Sequence, residues 1–299
     1  MDGSTFNQIR IFQIIAQEGS ISAAARKLEM AVPSVSASLK HLEQTLGLPL
    51  FTRSTRKIEL TEAGELLVNH TKHSMAELNL AVESVSDLSK TPRGKVRITM
   101  PRFVFQQIVS PIYADFCTCY PDIELEISLY DGTVDIIKEG FDLGIRFGDR
   151  IGDGMVARQI MSPREDALFA STKYIDKYGL PTSIEALKDH RLIYYRFITS
   201  NQLLPLTLQN EGNTITVDIK PSLVVNDTDL MKDAALKGLG IGRLLLPIVK
   251  DDIDSGKLVP ILQEHWISMP GVYIYFNQHA QKAKRVRAFI DFVMDNLPN

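Results

Sequence analysis

Between residues 4 and 89 the apolar positions recur at helical spacing with one short break. Phe6, Ile9, Phe12, Ile14, Ile15 and Ala16 give a first helix with a broad apolar face, and Gly19-Ser20 ends it. Ser20 suits the N-cap of a second helix bearing Ile21, Ala24, Ala25 and Leu28. After a turn at Glu29–Val32, Pro33 fits the first turn of a third helix, where its missing N–H leaves no bond unmade. Val35, Leu39, Leu42 and Leu46 form that helix's core stripe, and Gly47 is its stop. Residues 50–60 break the pattern and read as two short strands. A long helix then runs from Thr61 to about Lys90, with Val68, Thr71, Met75, Leu78, Val82 and Val85 in four-three spacing. That seam predicts an antiparallel pairing of two copies through Met75, Leu78, Val82 and Val85; the alternative is a helix packed on its own domain.

Thr91-Pro92-Arg93-Gly94 reads as a linker, and beyond it the pattern changes. Strands are expected at Val96–Met100, Ile123–Leu129 and Asp142–Phe147, alternating with helices at Val104–Tyr120 and Val134–Glu139. This alternation marks a parallel sheet covered by helices. It repeats more loosely from Arg164 to Val259, and a late strand (Gly271–Asn277) and helix (Lys282–Leu297) are expected to return to the first unit. The fold class is therefore α plus α/β.

Composition adds limits. Charged residues are 23% and hydrophobic residues 44% of 299, enough apolar content for sizeable cores. The net charge is only -3, so a nucleic-acid footprint must be local. From Arg26 to Lys57 there are six basic residues (Arg26, Lys27, Lys40, Arg53, Arg56, Lys57) against two acidic ones (Glu29, Glu43), the sign that phosphates require. Cys117 and Cys119 are expected to be buried, reduced thiols. His70 and His73 lack a nearby third ligand, so no metal site and no cofactor are expected. No basic stretch leads into an apolar run at the N-terminus and no apolar run approaches a membrane span, which predicts a cytoplasmic protein without membrane contact.

Residues 20–46 form a helix-turn-helix pattern, whose second helix would enter the major groove. The segments Ser22-Ala23-Ala24-Ala25-Arg26-Lys27-Leu28, Pro33-Ser34-Val35-Ser36, Leu39-Lys40-His41-Leu42-Glu43, Leu46-Gly47-Leu48-Pro49-Leu50-Phe51, Arg53-Ser54-Thr55-Arg56 and Leu60-Thr61-Glu62-Ala63-Gly64 follow in order. In these the chain closely resembles the LysR-type transcriptional regulators; Asp142-Leu143-Gly144-Ile145-Arg146, Asn226-Asp227 and Gly238–Gly242 extend the likeness along the whole length. The resemblance implies a winged helix-turn-helix DNA-binding domain at 1–60, a linker and dimerisation helix at 61–90, and a two-lobed effector-binding domain of periplasmic-binding-protein type at 91–299. Lobe I would lie near 94–161 and 266–299, and lobe II near 162–265. It also implies a homodimer or homotetramer on an interrupted palindrome of double-stranded DNA, a small-molecule effector between the lobes, and RNA polymerase as a further partner. The DNA contacts would come from Ser22, Val32, Pro33, Ser34, Ser36, Ala37 and Lys40, with Arg53 and Arg56 in the wing. Two positions depart from the family: Val32 stands where Gln is common, and Ala37 where Arg or Lys is common. Base reading there would lean on thymine methyls and DNA shape.

In open parallel sheets, ligands bind where strand ends lead into helices. That rule nominates Pro101, Arg102 and Phe103; Arg146, Phe147 and Gly148; Arg196 and Phe197; and Asn226, Asp227 and Thr228, which match the family's ligand-facing loops. Arg102, Arg146 and Arg196 aimed at one cleft would suit an anionic effector, whereas each alone could be a structural ion pair with an acid such as Asp142 or Asp149. The sequence has no phosphate-binding glycine loop, nucleophile elbow, paired-His helix or zinc-spaced Cys pair, so an enzyme is not expected. A solute-binding transport component fits only the second half, and an architectural protein leaves that half without a role.

Overall fold

The computed structural model describes residues 3–53, 58–86, 91–152, 154–278, 280 and 283–297. The chain divides into two compact units, residues 1–88 and 89–299.

In the first unit, helices α1 (Gly3–Glu18), α2 (Ile21–Lys27) and α3 (Val32–Leu46) precede a hairpin of β1 (Phe51–Arg53) and β2 (Ile58–Leu60), and α4 (Glu62–Ser86) follows. The expected caps are present: Ser20 Oγ accepts from the Ala23 N–H, and Gly47 ends α3 at φ 71. Ile9, Phe12, Ile15, Ala24, Ala25, Val35, Leu39 and Leu42 form the core, joined by Leu50 and Phe51 from the hairpin arm. The Phe12 and Phe51 rings lie 5.3 Å apart. Ile11, absent from the expected face, is fully buried. Gly64 lets α4 approach this arm, because a Cβ there would stand 2.2 Å from the Leu50 carbonyl oxygen.

The second unit opens with β3 (Gly94–Met100), a single turn α5 (Arg102–Val104), α6 (Tyr113–Cys119), β4 (Ile123–Leu129), α7 (Ile136–Glu139), β5 (Leu143–Phe147) and β6 (Met155–Met161). The helix expected over Val104–Tyr120 is broken. A wide π turn spans Phe105–Val109, and α6 starts only after Pro111. Proline has no N–H and clashes with the preceding turn, so it divides the segment. The chain goes on through β7 (Arg164–Ser171), α8 (Thr172–Tyr178), β8 (Arg191–Tyr195), β9 (Leu206–Asn210), β10 (Asn213–Val217), β11 (Lys220–Val225) and α9 (Thr228–Leu236). Then come β12 (Gly242–Leu245), α10 (Leu246–Asp254), β13 (Leu258–Pro260), β14 (Ile267–Met269), β15 (Val272–Asn277) and α11 (Lys284–Asp295).

The first sheet has the order β4-β3-β5-β15-β6. Its first three strands are parallel, and β15 enters antiparallel between β5 and β6. A second sheet is built on β7, flanked by β12, β13 and β14. The parallel pair β8–β11 adjoins it through a Leu192–Ile241 bridge. The chain thus crosses between the sheets at 162–163 and again at 270–271. Such double crossings leave a crevice between two α/β layers.

Cys117 and Cys119 are both exposed, not buried as expected. The helix α6 buries its face through Phe116, which packs edge-on against Phe289 at 5.1 Å, and neither thiol reaches that contact. Among the described residues, no helix is long and apolar enough to cross a membrane.

Candidate functional site

In the first unit, α3 separates its residues by face. Val35, Leu39 and Leu42 hold the helix to the core. On the other side Val32, Pro33, Ser34, Ala37 and Lys40 are exposed and Ser36 is half-buried, while Ser22 is exposed near the start of α2. The exposed side is thus the one nominated for base and phosphate contact. Lys27 is engaged with Glu18 at 2.6 Å, which leaves Arg26 and Lys40 as the freer cations of this pair of helices. The Glu43 carboxylate accepts the Leu50 N–H at 2.8 Å and fastens the turn into β1. Arg53 ends β1, with its side chain outside the described residues, as is all of Arg56.

The helix α4 changes character along its length. Val68 packs on the unit's own core, and the Gln13 amide donates to Thr71 Oγ1 at 2.8 Å, so this half binds to α1. Met75 is buried, whereas Leu78 and Val82 are 46% and 65% exposed. Of the nominated seam, the upstream part is covered by its own chain and the downstream part is bare. The Val85 side chain lies outside the described residues.

In the second unit a cavity of about 260 Å³ opens between the two sheets. Pro101 and Phe103 line it from the end of β3, Arg146 and Phe147 from β5, Phe197 from the loop after β8, and Thr228 from the start of α9, all nominated from sequence. Phe103 and Phe147 stack with centroids 5.4 Å apart.

Five nominated residues lie outside the lining. Arg102 turns to Asp227 (Nε to Oδ2 3.7 Å) on the exposed rim. Asp227 also caps α9 by accepting the Leu230 N–H. Arg196 donates to the Asn201 carbonyl at 2.7 Å and braces its own loop. Gly148 packs beneath the Tyr273 ring, and Asn226 is exposed. Three arginines therefore do not converge here; of the three, only Arg146 reaches the wall.

Arg146 is not in an ion pair with Asp142 or Asp149 either. Its guanidinium donates to the carbonyls of Gly132 (3.3 Å), Ile145 (2.7 Å) and Tyr130 (3.1 Å) and to Thr99 Oγ1 (3.1 Å). Burial pushes its pKa down, against the opposing pull of Tyr275 and Asp131. Asp142 instead accepts the Arg97 N–H and faces Arg285, while Asp149 lies 3.5 Å from Arg150.

The lining also holds Asp131, Gly132, Thr133, Arg150, Tyr195, Arg243 and Leu245, which were not nominated. Asp131–Thr133 follow β4, and Leu245 ends β12. The strand-end rule would have found them had it been applied to every strand. Burial pushes the Asp131 carboxyl up, with Asp227 nearby acting in the same direction. It also pushes the Tyr195 hydroxyl up, helped by Asp131 and Asp227. Arg243 is locked to Asp166 in a buried pair and donates to the Pro205 carbonyl. No strand-end signal marks Asp166, which is carried on a strand antiparallel to its neighbours.

Comparison with known proteins agrees with both halves. Residues 6–65 match the family model for the bacterial regulatory helix-turn-helix protein, lysR family, and residues 89–298 match that for the LysR substrate binding domain. The chain is 31% identical over 280 residues to the HTH-type transcriptional regulator PgrR of Escherichia coli (strain K12), covering 94% of each chain. Among solved structures it is similar to CrgA, a LysR-type transcriptional regulator from Neisseria meningitidis, with a TM-score of 0.63 and 27% identity over 98% of this chain and 99% of that one. It is also similar to the full-length Vibrio cholerae virulence activator AphB, with a TM-score of 0.64 and 26% identity over 98% and 99%.

Proposed function

The chain belongs to the LysR-type family of DNA-binding transcriptional regulators, and from that premise we propose that it acts as a homo-oligomer reading an interrupted palindrome under control of a molecule bound in the cavity between its sheets. The observation that carries the oligomeric reading is the exposure of Leu78 and Val82 in the downstream half of α4. Leu78 and Val82 stand exposed one helical turn apart, just where the helix has left its own core. Two such helices side by side would cover both stripes and hold two copies of α3 at a fixed spacing, which is what a palindrome requires. DNA contact then falls to Ser22, Val32, Pro33, Ser34, Ser36, Ala37 and Lys40, with Arg53 and Arg56 in the wing. RNA polymerase is the further partner on this reading, and the cytoplasm, where the DNA is, the location.

A charge on the stripe tests it. Leu78→Asp is expected to shift sedimentation toward monomer and to remove the preference for a full palindrome over a half-site. An unbroken assembly in that variant would place the contact on the second unit instead.

A further inference from the structure

The charges in the cavity wall indicate what kind of molecule it accepts; this rests on the reading of the cavity as the effector site. Three arginines and three carboxylates line it: Arg146, Arg150 and Arg243 with Asp131, Asp149 and Asp166. Among the described residues, both interior arginines of the wall already have protein partners. Arg146 spends four of its five N–H donors on three carbonyls and a threonine, and Arg243 is held by Asp166 and Pro205. Arg150 is 45% exposed at the mouth, 3.5 Å from Asp149 and 5.0 Å from the Phe197 ring centroid. An entering anion would lose its water and find these guanidinium groups already engaged, and burying such a charge is costly.

The open polar atoms of the wall include a carboxylate oxygen. Asp131 Oδ1 accepts the Arg102 N–H at 3.0 Å, while Oδ2 makes no hydrogen bond among the described residues. The Tyr195 hydroxyl likewise makes none among them. The rest of the lining is mainly aromatic and aliphatic, chiefly Phe103, Phe147, Phe197, Leu204 and Leu245, with the hydroxyl side chains of Thr133, Thr199, Ser200 and Thr228 among it.

We propose that the cavity takes an uncharged, ring-bearing molecule whose hydroxyl donates to Asp131, with Tyr195 beside it, and that Asp131 excludes carboxylates. A cavity of about 150 Å³ holds one benzene ring, so 260 Å³ accommodates roughly ten non-hydrogen atoms, the size of two fused rings. A hydroxyl donating to a carboxylate makes a charge-assisted bond, whereas a carboxylate brought to the same oxygen is repelled. This reading, a neutral hydrogen-bond donor, stands against the expectation of an anionic effector.

Titration of the full chain with 2-naphthol, naphthalene and 2-naphthoate, followed by calorimetry, tests this. In the wild type 2-naphthol is expected to bind at least about tenfold tighter than 2-naphthoate. Asp131→Asn removes the repulsion and should bring the two within about threefold. Ile198→Trp, at an exposed lining position that tolerates bulk, and Leu245→Trp should each remove binding of all three probes. If 2-naphthoate binds wild type as tightly as 2-naphthol and both are lost in Ile198→Trp, the ligand class is wrong and the cavity reading stands. Probe binding unchanged by both tryptophan variants overturns the cavity reading as well. Failure of every probe at millimolar concentration overturns the proposed class.

Discussion

The outer face of α3 and the cavity of the second unit are the two candidate sites, and they are built in opposite ways. On α3 the candidate contact residues are those the core does not use. Val35, Leu39 and Leu42 anchor the helix, and Val32, Ala37 and Lys40 stand free of it. In the cavity the wall residues are also structural: Arg146 ties β3, β5 and the loop after β4 together, and the buried Arg243–Asp166 pair holds a hairpin arm through Pro205. A surface site can therefore change its chemistry without changing its support, whereas a buried one cannot. Each variant below is chosen to test that difference.

The largest effect is expected where function and support coincide. Arg243→Met leaves Asp166 buried without its partner, which should cost the second unit about 3–5 kcal/mol. The loss depends on pH. Burial pushes the Asp166 carboxyl up even with Arg243 beside it, so its protonated form favours folding. That contribution is full below the ordinary carboxylate range and is lost as pH rises through the raised value. Without Arg243 the carboxyl rises further, so urea unfolding should show the variant more destabilised at pH 8 than at pH 5. Equal losses at both pH values would mean that Asp166 is not the buried charge at fault.

Three changes in α3 address the other half of the comparison. Leu39→Ala should destabilise the first unit by about 2–5 kcal/mol, as a core truncation does. Val32→Gln should move stability by no more than about 0.5 kcal/mol. It would nonetheless alter base preference, because an amide reads adenine where valine meets a thymine methyl. Lys40→Ala should leave folding intact, weaken binding to every sequence, and reduce the salt slope by about one unit. Melting curves with anisotropy titrations on random and selected duplexes would check all three. A large stability loss in Val32→Gln would show that the free face is not free.

The same contrast explains what was legible in the sequence. Helical periodicity separates buried from exposed positions within one segment, so Val35, Leu39 and Leu42 of the α3 stripe, the Ser20 cap and the Gly47 stop could be read directly, whereas Leu46, expected in the same stripe, is 45% exposed at the helix end. Where one proline or one tertiary contact decides, periodicity is silent. Pro111 divides the expected helix, and α1 covers the upstream half of the α4 seam. The cavity was legible only as a location. Strand ends point to it, but which side chains turn inward depends on partners far away in the chain. Arg102 was drawn off by Asp227 and Arg196 by Asn201, while Asp166 and Arg243 lacked any local signal; Tyr195 ends β8 and falls under the same strand-end rule as Asp131 and Leu245.

The smallest effect is expected at the cavity rim, where contacts join the two sheets without being buried. Arg102 reaches Asp227 at 3.7 Å, the Gln106 amide donates to Asp229 at 3.1 Å, and the Thr133 N–H donates to Thr199 Oγ1 at 2.9 Å. The first is an exposed pair at long range, and such pairs contribute only about 0.2–1 kcal/mol and fade with salt. Their interest lies in position, because each spans the opening and so exists only while the two layers are close. A ligand that touches both layers binds the closed form, and its apparent affinity falls with the fraction of molecules closed. Arg102→Ala combined with Gln106→Ala should therefore weaken 2-naphthol binding by a few fold at low salt, with folding unchanged. At high ionic strength the wild type should lose most of this advantage, because the Arg102–Asp227 attraction is screened there. Asp227 is left intact because it caps α9, and removing it would mix a helix defect into the measurement. If the double variant binds as the wild type does at every salt concentration, the rim contacts do not bias closure, and the separation of the layers is set by the two chain crossings alone.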